Sequence, residues 1–194
     1  MYSKEEEKIQ IVAFSTNDSN LIPNDIIQIL LDQYTHTIIK KSRHSITFTL
    51  VLPDCIKSTK IMICSVLNLN REYIGITNVN CYLYFIDLQN QKTKLNLDSI
   101  ISYSKDYCDL TKKIFILAIV DKNNDEKIFI NKGEIKKIMD SGDLNYEYIE
   151  LNLDKKKEVA DSILKILVKS SNEKSGEVDK NENSGSQANS CLIF

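Results

Sequence analysis

The chain predicts an α/β domain: a six-stranded, mostly parallel sheet with one antiparallel edge strand and helices on both faces. Three observations predict it. A short apolar run at the front, Lys8–Phe14 (KIQIVAF), is followed by a polar turn and a helical stretch. Two β-branched runs next to each other, Arg43–Leu52 (RHSITFTLVL) and Thr59–Val66 (TKIMICSV), flank a turn at Pro53–Lys57 and form an antiparallel hairpin. After the hairpin, apolar strand-length runs alternate with helical spacing, the pattern of parallel strands joined by right-handed crossovers.

The elements follow in order. Lys8–Phe14 is the first strand, and Ser15–Asn20 (STNDSN) is the turn after it. In Leu21–Tyr34, Ile26, Ile27, Leu30 and Leu31 fall at helical spacing behind Pro23, Asn24 and Asp25, residue types that open helices. The hairpin comes next, with Arg43–Leu52 as the edge strand. Leu67–Asn80 is polar and irregular. Cys81–Leu88 (CYLYFIDL) is apolar on both faces, as a central strand is. Leu95–Cys108 is a helix carrying Leu95, Leu97, Ile100, Ile101 and Tyr107. Lys113–Val120 (KIFILAIV) is the most apolar run and belongs at the sheet centre. Asn131–Met139 is a short helix with Ile135 and Ile138 inward. Tyr146–Leu151 is the last strand. Asp154–Leu167 is an amphipathic helix capped by Asp154, with Val159, Ile163, Ile166 and Leu167 on one face.

Composition bounds the function. The length suits one domain with a substantial core. Net charge is −2, and basic and acidic residues balance across 1–169, so nothing points to a nucleic-acid surface. No apolar run approaches the roughly 18 residues of a membrane span. The acidic start, MYSKEEE, is not a signal peptide. The five cysteines, at 55, 64, 81, 108 and 191, have neither metal-site spacing nor a disulfide framework, which predicts a cytosolic chain with reduced thiols.

Ser170–Ser190 changes character. Val178 and Ala188 are its only apolar residues, too few to offset its ordering entropy, so it is expected to be disordered. The domain is therefore expected over 1–169, with a tail over 170–194. The tail ends Cys191-Leu192-Ile193-Phe194, a CaaX-like prenylation motif whose terminal Phe favours a geranylgeranyl group. Glu173, Glu177, Asp179 and Glu182 outnumber Lys174 and Lys180, so the tail carries no basic second anchor.

The element order, together with this tail, resembles the small GTPase superfamily, and within it the Rab type. The similarity covers Lys8–Leu167 and the terminal Cys. It lies in layout and in short matches: Asp32-Gln33-Tyr34 at the end of the first helix, Arg71-Glu72-Tyr73 and Ile76-Thr77 in the second switch, Tyr84–Leu88 (YFIDL), and Glu147–Leu153 with the helix behind it. The resemblance implies a P-loop NTPase-like fold, GTP/GDP with Mg²⁺ as ligands, and effectors or regulators of the trafficking machinery as partners.

The nucleotide motifs themselves are degenerate. A phosphate loop needs glycines that let backbone N–H groups wrap the phosphates, a Lys for the outer phosphates and a Ser or Thr for Mg²⁺. The first glycine of this chain is Gly75, and Ser19 and Asn20 stand near the positions of the family's Lys and Ser. The switch motif Asp-x-x-Gly and its following Gln are replaced by Val66-Leu67-Asn68-Leu69-Asn70. The guanine motif Asn-Lys-x-Asp reads Asp121-Lys122-Asn123-Asn124, which leaves Lys122 and Asn124 as the nucleotide contacts a divergent member would retain. The Ser-Ala-Lys base loop reads Asn152-Leu153-Asp154. Thr35 and Thr37 follow the first helix, where a first-switch Thr would approach Mg²⁺.

Ordinary roles account for the other chemistry-bearing side chains. Lys122 following a buried strand suits a solvated loop as well as a base pocket. His36 and His44 have no partner at ligand spacing, and Asp87 suits the closure of a strand end. Lys155–Lys157 suit a solvated helix start. No Ser/His/Asp set, Cys/His pair or acid dyad stands out, so no catalytic residue and no protein metal site is assigned. Three functions remain. One is a prenylated, membrane-associated Rab-like pseudo-GTPase that binds proteins in vesicle traffic without turnover. Another is a divergent GTPase that still binds GTP/GDP as a switch. The third is an α/β interaction protein unrelated to GTPases.

Overall fold

The computed structural model describes residues 8–15, 23–42, 45–52, 58–66, 78–120 and 128–172. The order is β1 (Lys8–Ser15), α1 (Pro23–Gln33), β2 (His36–Lys41), β3 (Ser45–Val51), β4 (Ser58–Val66), β5 (Cys81–Asp87), α2 (Thr93–Tyr107), β6 (Lys113–Val120), α3 (Lys132–Ser141), β7 (Tyr146–Asn152) and α4 (Lys156–Asn172). The strands form one seven-stranded sheet in the order β2-β3-β4-β1-β5-β6-β7. From β4 to β7 every pairing is parallel; β2-β3 and β3-β4 are antiparallel.

The sheet thus has seven strands rather than six. His36–Lys41 supplies the extra one and takes the edge position expected of Arg43–Leu52. Ladder hydrogen bonds hold β2, and its side chains are exposed apart from the half-buried His36. A strand with no buried face leaves no alternating pattern to read. The hairpin itself is as expected, with Phe48 opposite Ile61 and Ile46 opposite Ile63. The centre of the sheet is β1. The most apolar strand, β6, lies one place from the β7 edge and is buried because helices cover both of its faces.

Alternation along the strands builds two cores. Ile9, Ile11, Ala13, Ile61, Ile63, Leu83, Phe85, Phe115 and Leu117 face α1 and α4. Val12, Phe14, Tyr82, Tyr84, Ile114 and Ile116 face α2 and α3. In the second core Phe14 stacks on Tyr84 with ring centroids 4.5 Å apart and meets Tyr103 edge-on at 5.2 Å. Each such buried ring contributes about 1.5–3 kcal/mol through area alone.

Helix boundaries follow the caps. Asn131 caps α3 with a capping box: its side chain accepts from Glu134 N–H, and the Glu134 carboxylate accepts from Asn131 N–H, both at 3.0 Å. Gly142 ends α3 where a Cβ would come 2.9 Å from Ile101 Cγ2, so α2 and α3 meet over a residue without a side chain. In α2, Leu97 and Ile100 are buried as expected and Ile101 is partly buried, but Leu95 and Tyr107 are exposed. The last helix starts at Lys156, and Val159 N–H bonds to the Lys155 carbonyl, so Lys155 rather than Asp154 holds the cap position. Its far end runs on to Asn172, past the tail start expected at Ser170. Ser170 is buried, and its hydroxyl bonds to the Ile166 carbonyl and Cys81 Sγ.

Candidate functional site

In an open α/β sheet, ligands bind beyond the carboxyl ends of the parallel strands. Here that rim is built from the ends of β1, β4, β5, β6 and β7 and the start of α1. Ser15 closes β1 and Ser65 is next to last in β4, and both are buried. Ser65 Oγ donates to Asn24 Oδ1 at 2.9 Å, tying the end of β4 to the first turn of α1. At the end of β5, Asp87 Oδ1 accepts Gln89 N–H at 2.9 Å, and the Asp87 carbonyl accepts from the Thr93 hydroxyl at the start of α2. Phe129 N–H then bonds to the Leu88 carbonyl at 3.0 Å, bringing the chain before α3 onto the same rim. Beyond β7, Asn152 Oδ1 accepts Asp154 N–H at 3.1 Å, and the Asn152 carbonyl accepts Lys155 N–H at 3.0 Å. Asp87 and Asn152 thus use side-chain oxygens to close turns at this rim, while the Asn24 oxygen accepts from Ser65 of β4.

Lys122, Asn124, Ser19, Asn20, Leu67–Asn70, His44, Cys55 and Cys191 lie outside the described residues. Thr37, on β2, is described: it pairs with Thr49 of β3, which pairs with Lys60 near the start of β4, so it lies toward the amino ends of the parallel strands. The start of α1 is tied to Ser65 at the opposite end of β4, away from Thr37. His36 Nδ1 lies 3.0 Å from the Tyr34 carbonyl, so its ring makes a local structural bond.

Two clusters were not legible as such in the sequence. At the junction of α1 and α4, the Tyr34 hydroxyl donates to Asp161 Oδ1 and accepts from Lys157 Nζ at 3.1 Å. The Lys157 ammonium also lies 4.3 Å from the Tyr34 ring centroid and 3.1 Å from Asp161. The hydrogen bond to Tyr34, then that to Asp161, raises the Lys157 pKa; Tyr34, then Lys157, lowers that of Asp161. The partners are 127 residues apart, so only folding brings them together.

The other cluster lies under α2. Tyr84 Oη is 2.9 Å from Ser104 Oγ and 3.5 Å from Cys108 Sγ. Burial pushes the Cys108 thiol up to about 11 and Tyr103 up to about 12, and raises Tyr84 well above its usual range. A thiol protonated to that extent is not a nucleophile near neutral pH. Tyr103 Oη is buried and, among the described residues, has no hydrogen-bond partner.

No group of three His, Cys, Asp or Glu side chains among the described residues could hold a metal ion. No helix of the described residues is long and apolar enough to cross a membrane. No protein-family model matches the chain, and no curated protein matches it.

Proposed function

We propose that the chain is a degenerate small-GTPase-like domain of Rab type. It acts as a protein-binding module in vesicle trafficking or signalling, held reversibly at the cytosolic face of a membrane by a prenyl group on Cys191, and it does not turn over nucleotide. One observation carries the reading: a β3-β4 antiparallel pair followed by four strands parallel to β4, with α1 springing from the end of the central strand. That layout is what the resemblance implies, and β2 is an addition at its edge. The loss of nucleotide chemistry is supported by the rim, where Asp87 and Asn152 use side-chain oxygens on their own turns and Asn24 uses its oxygen on Ser65 of β4.

Charge-assisted hydrogen bonds contribute roughly 1.5–3 kcal/mol each. Losing the phosphate-loop Lys and the Mg²⁺ side chains removes about 5 kcal/mol, more than a thousandfold in affinity. The purified full chain is therefore expected to carry no bound GTP or GDP and to show no thermal shift with micromolar GTP and Mg²⁺. Sub-micromolar binding would return it to the switch class. Membrane attachment is checked by fractionating cells that express wild type and Cys191→Ser. The variant is expected to leave the membrane fraction, and identical distributions would remove the anchor from the proposal.

A further inference from the structure

The two edges of the sheet are complementary. Among the described residues β2 pairs only with β3, and β7 only with β6. Because β2 is antiparallel to β3 and β3 to β4, β2 runs in the same direction as β7 at the opposite edge. One edge, His36-Thr37-Ile38-Ile39-Lys40-Lys41, is basic; the other, Tyr146-Glu147-Tyr148-Ile149-Glu150-Leu151-Asn152, is acidic. The β2 edge leaves Ile38 42% and Ile39 52% exposed. Beside β7, an apolar groove of about 710 Å³ opens between Ile149 of the strand and Leu164, Ile166 and Val168 of α4, bordered by the Lys169–Glu147 ion pair at 2.7 Å.

We infer that β2 of one copy of this chain pairs in parallel with β7 of the next, seating Ile38 at the groove beneath α4 and continuing the sheet head to tail. The register follows from the faces. Ile38 pairs with Phe48, and Ile149 and Phe48 both belong to the core beneath α1 and α4, so Ile38 and Ile149 share a face of the continued sheet. Placing them side by side sets Thr37 beside Tyr148 and His36 beside Glu147. The bulge between Ile38 and Lys40 takes up Ile39 and sets Lys40 beside Glu150. Ile38 and Ile149 then meet on the face beneath α4, and Lys40 and Glu150 meet on the other. A β7–β7 seam would instead gather four carboxylates, from Glu147 and Glu150 of each copy. Charged side chains on edge strands discourage pairing of like edges, and here the two signs leave the unlike pairing favoured. Such a contact is heterologous, so it builds open chains rather than a closed dimer. It does not depend on the trafficking reading.

Sedimentation of the full chain over a concentration series tests this, with Lys40→Glu, Glu150→Lys and their equimolar mixture; thermal melts check that each variant is folded. Wild type is expected to show a mass that climbs beyond dimer with concentration. Each single variant sets like charges side by side and shifts the association midpoint up about tenfold or more. The mixture regains association, because each variant then meets its opposite charge. A wild type that stays monomeric throughout overturns the proposal. So do folded single variants that associate like wild type, or a mixture that does not recover. Association strengthened by Glu150→Lys alone and indifferent to Lys40→Glu would mark a β7–β7 dimer and overturn it equally.

Discussion

Tyr103 shows how one hydroxyl can stand against its surroundings. Its ring packs edge-on to Phe14 and lies 4.8 Å from the Tyr107 ring, while its oxygen is buried without a partner among the described residues. The ring gains from burial; the oxygen gives up water without replacement. Tyr103→Phe keeps the ring and removes the orphan, so it should stabilise the fold by about 1 kcal/mol, read as a higher midpoint in urea with an unchanged slope. Tyr84, on β5 in the same core, is the opposite case. Its hydroxyl meets Ser104 at 2.9 Å, so the same substitution there would leave the Ser104 hydroxyl short of a partner and is expected to destabilise. The sequence does not separate the two tyrosines, because both sit in apolar surroundings. The difference is the position of a residue 20 places further along the chain.

Among the elements, α3 depends most on its first turn. It is 10 residues long, with Ile135 and Met139 as its buried side chains. Short helices draw much of their stability from tertiary packing and caps. Asn131→Ala removes one half of the capping box and should cost about 1 kcal/mol, with the loss seen first as faster amide exchange in the initial turn of α3. Equal exchange in both proteins would show that the box contributes nothing. The opposite end of the chain behaves differently. α4 keeps its last turns because Ser170 is polar yet bonded twice, to Ile166 and to Cys81, and because Asn80 Nδ2 donates to the Ser170 carbonyl at 3.3 Å. A Ser-rich composition reads as tail; a buried site with partners makes it helix.

At the scale of the whole molecule, the buried acids set the response to alkali. Cys108, with an ordinary value near 9, is held up to about 11 by burial, and Tyr103, Tyr146 and Tyr148 up to about 12, each chiefly by burial. In each case the folded protein holds the proton more tightly than the unfolded chain. Their contribution is therefore complete below about pH 9 and is lost as pH rises through 11 to 12. For Cys108 alone the loss is on the order of 2 kcal/mol. The melting temperature is expected to fall steadily above pH 9, and Cys108→Ala should flatten the part of that fall between pH 9 and 11. An unchanged slope in the variant would put the effect elsewhere.

The sequence by itself determined the α/β class, the hairpin, the parallel strands and the bulk of both cores, because the short apolar runs Lys8–Phe14, Cys81–Leu88 and Lys113–Val120 and the helical spacing in Leu21–Tyr34 and Asp154–Leu167 are local signals of burial. It also exposed the absence of the glycine-rich phosphate loop, since that motif is contiguous. Tertiary structure alone decided what rests on contacts distant along the chain. It made His36–Lys41 a seventh strand, through ladder bonds to β3 that need no apolar pattern. It turned Asn24 toward Ser65, 41 residues away, and set Tyr34 between Lys157 and Asp161. It also placed a basic strand and an acidic strand at opposite edges of one sheet. Strand order is fixed by which backbones find each other, and the side-chain pattern along one strand carries no record of its neighbour.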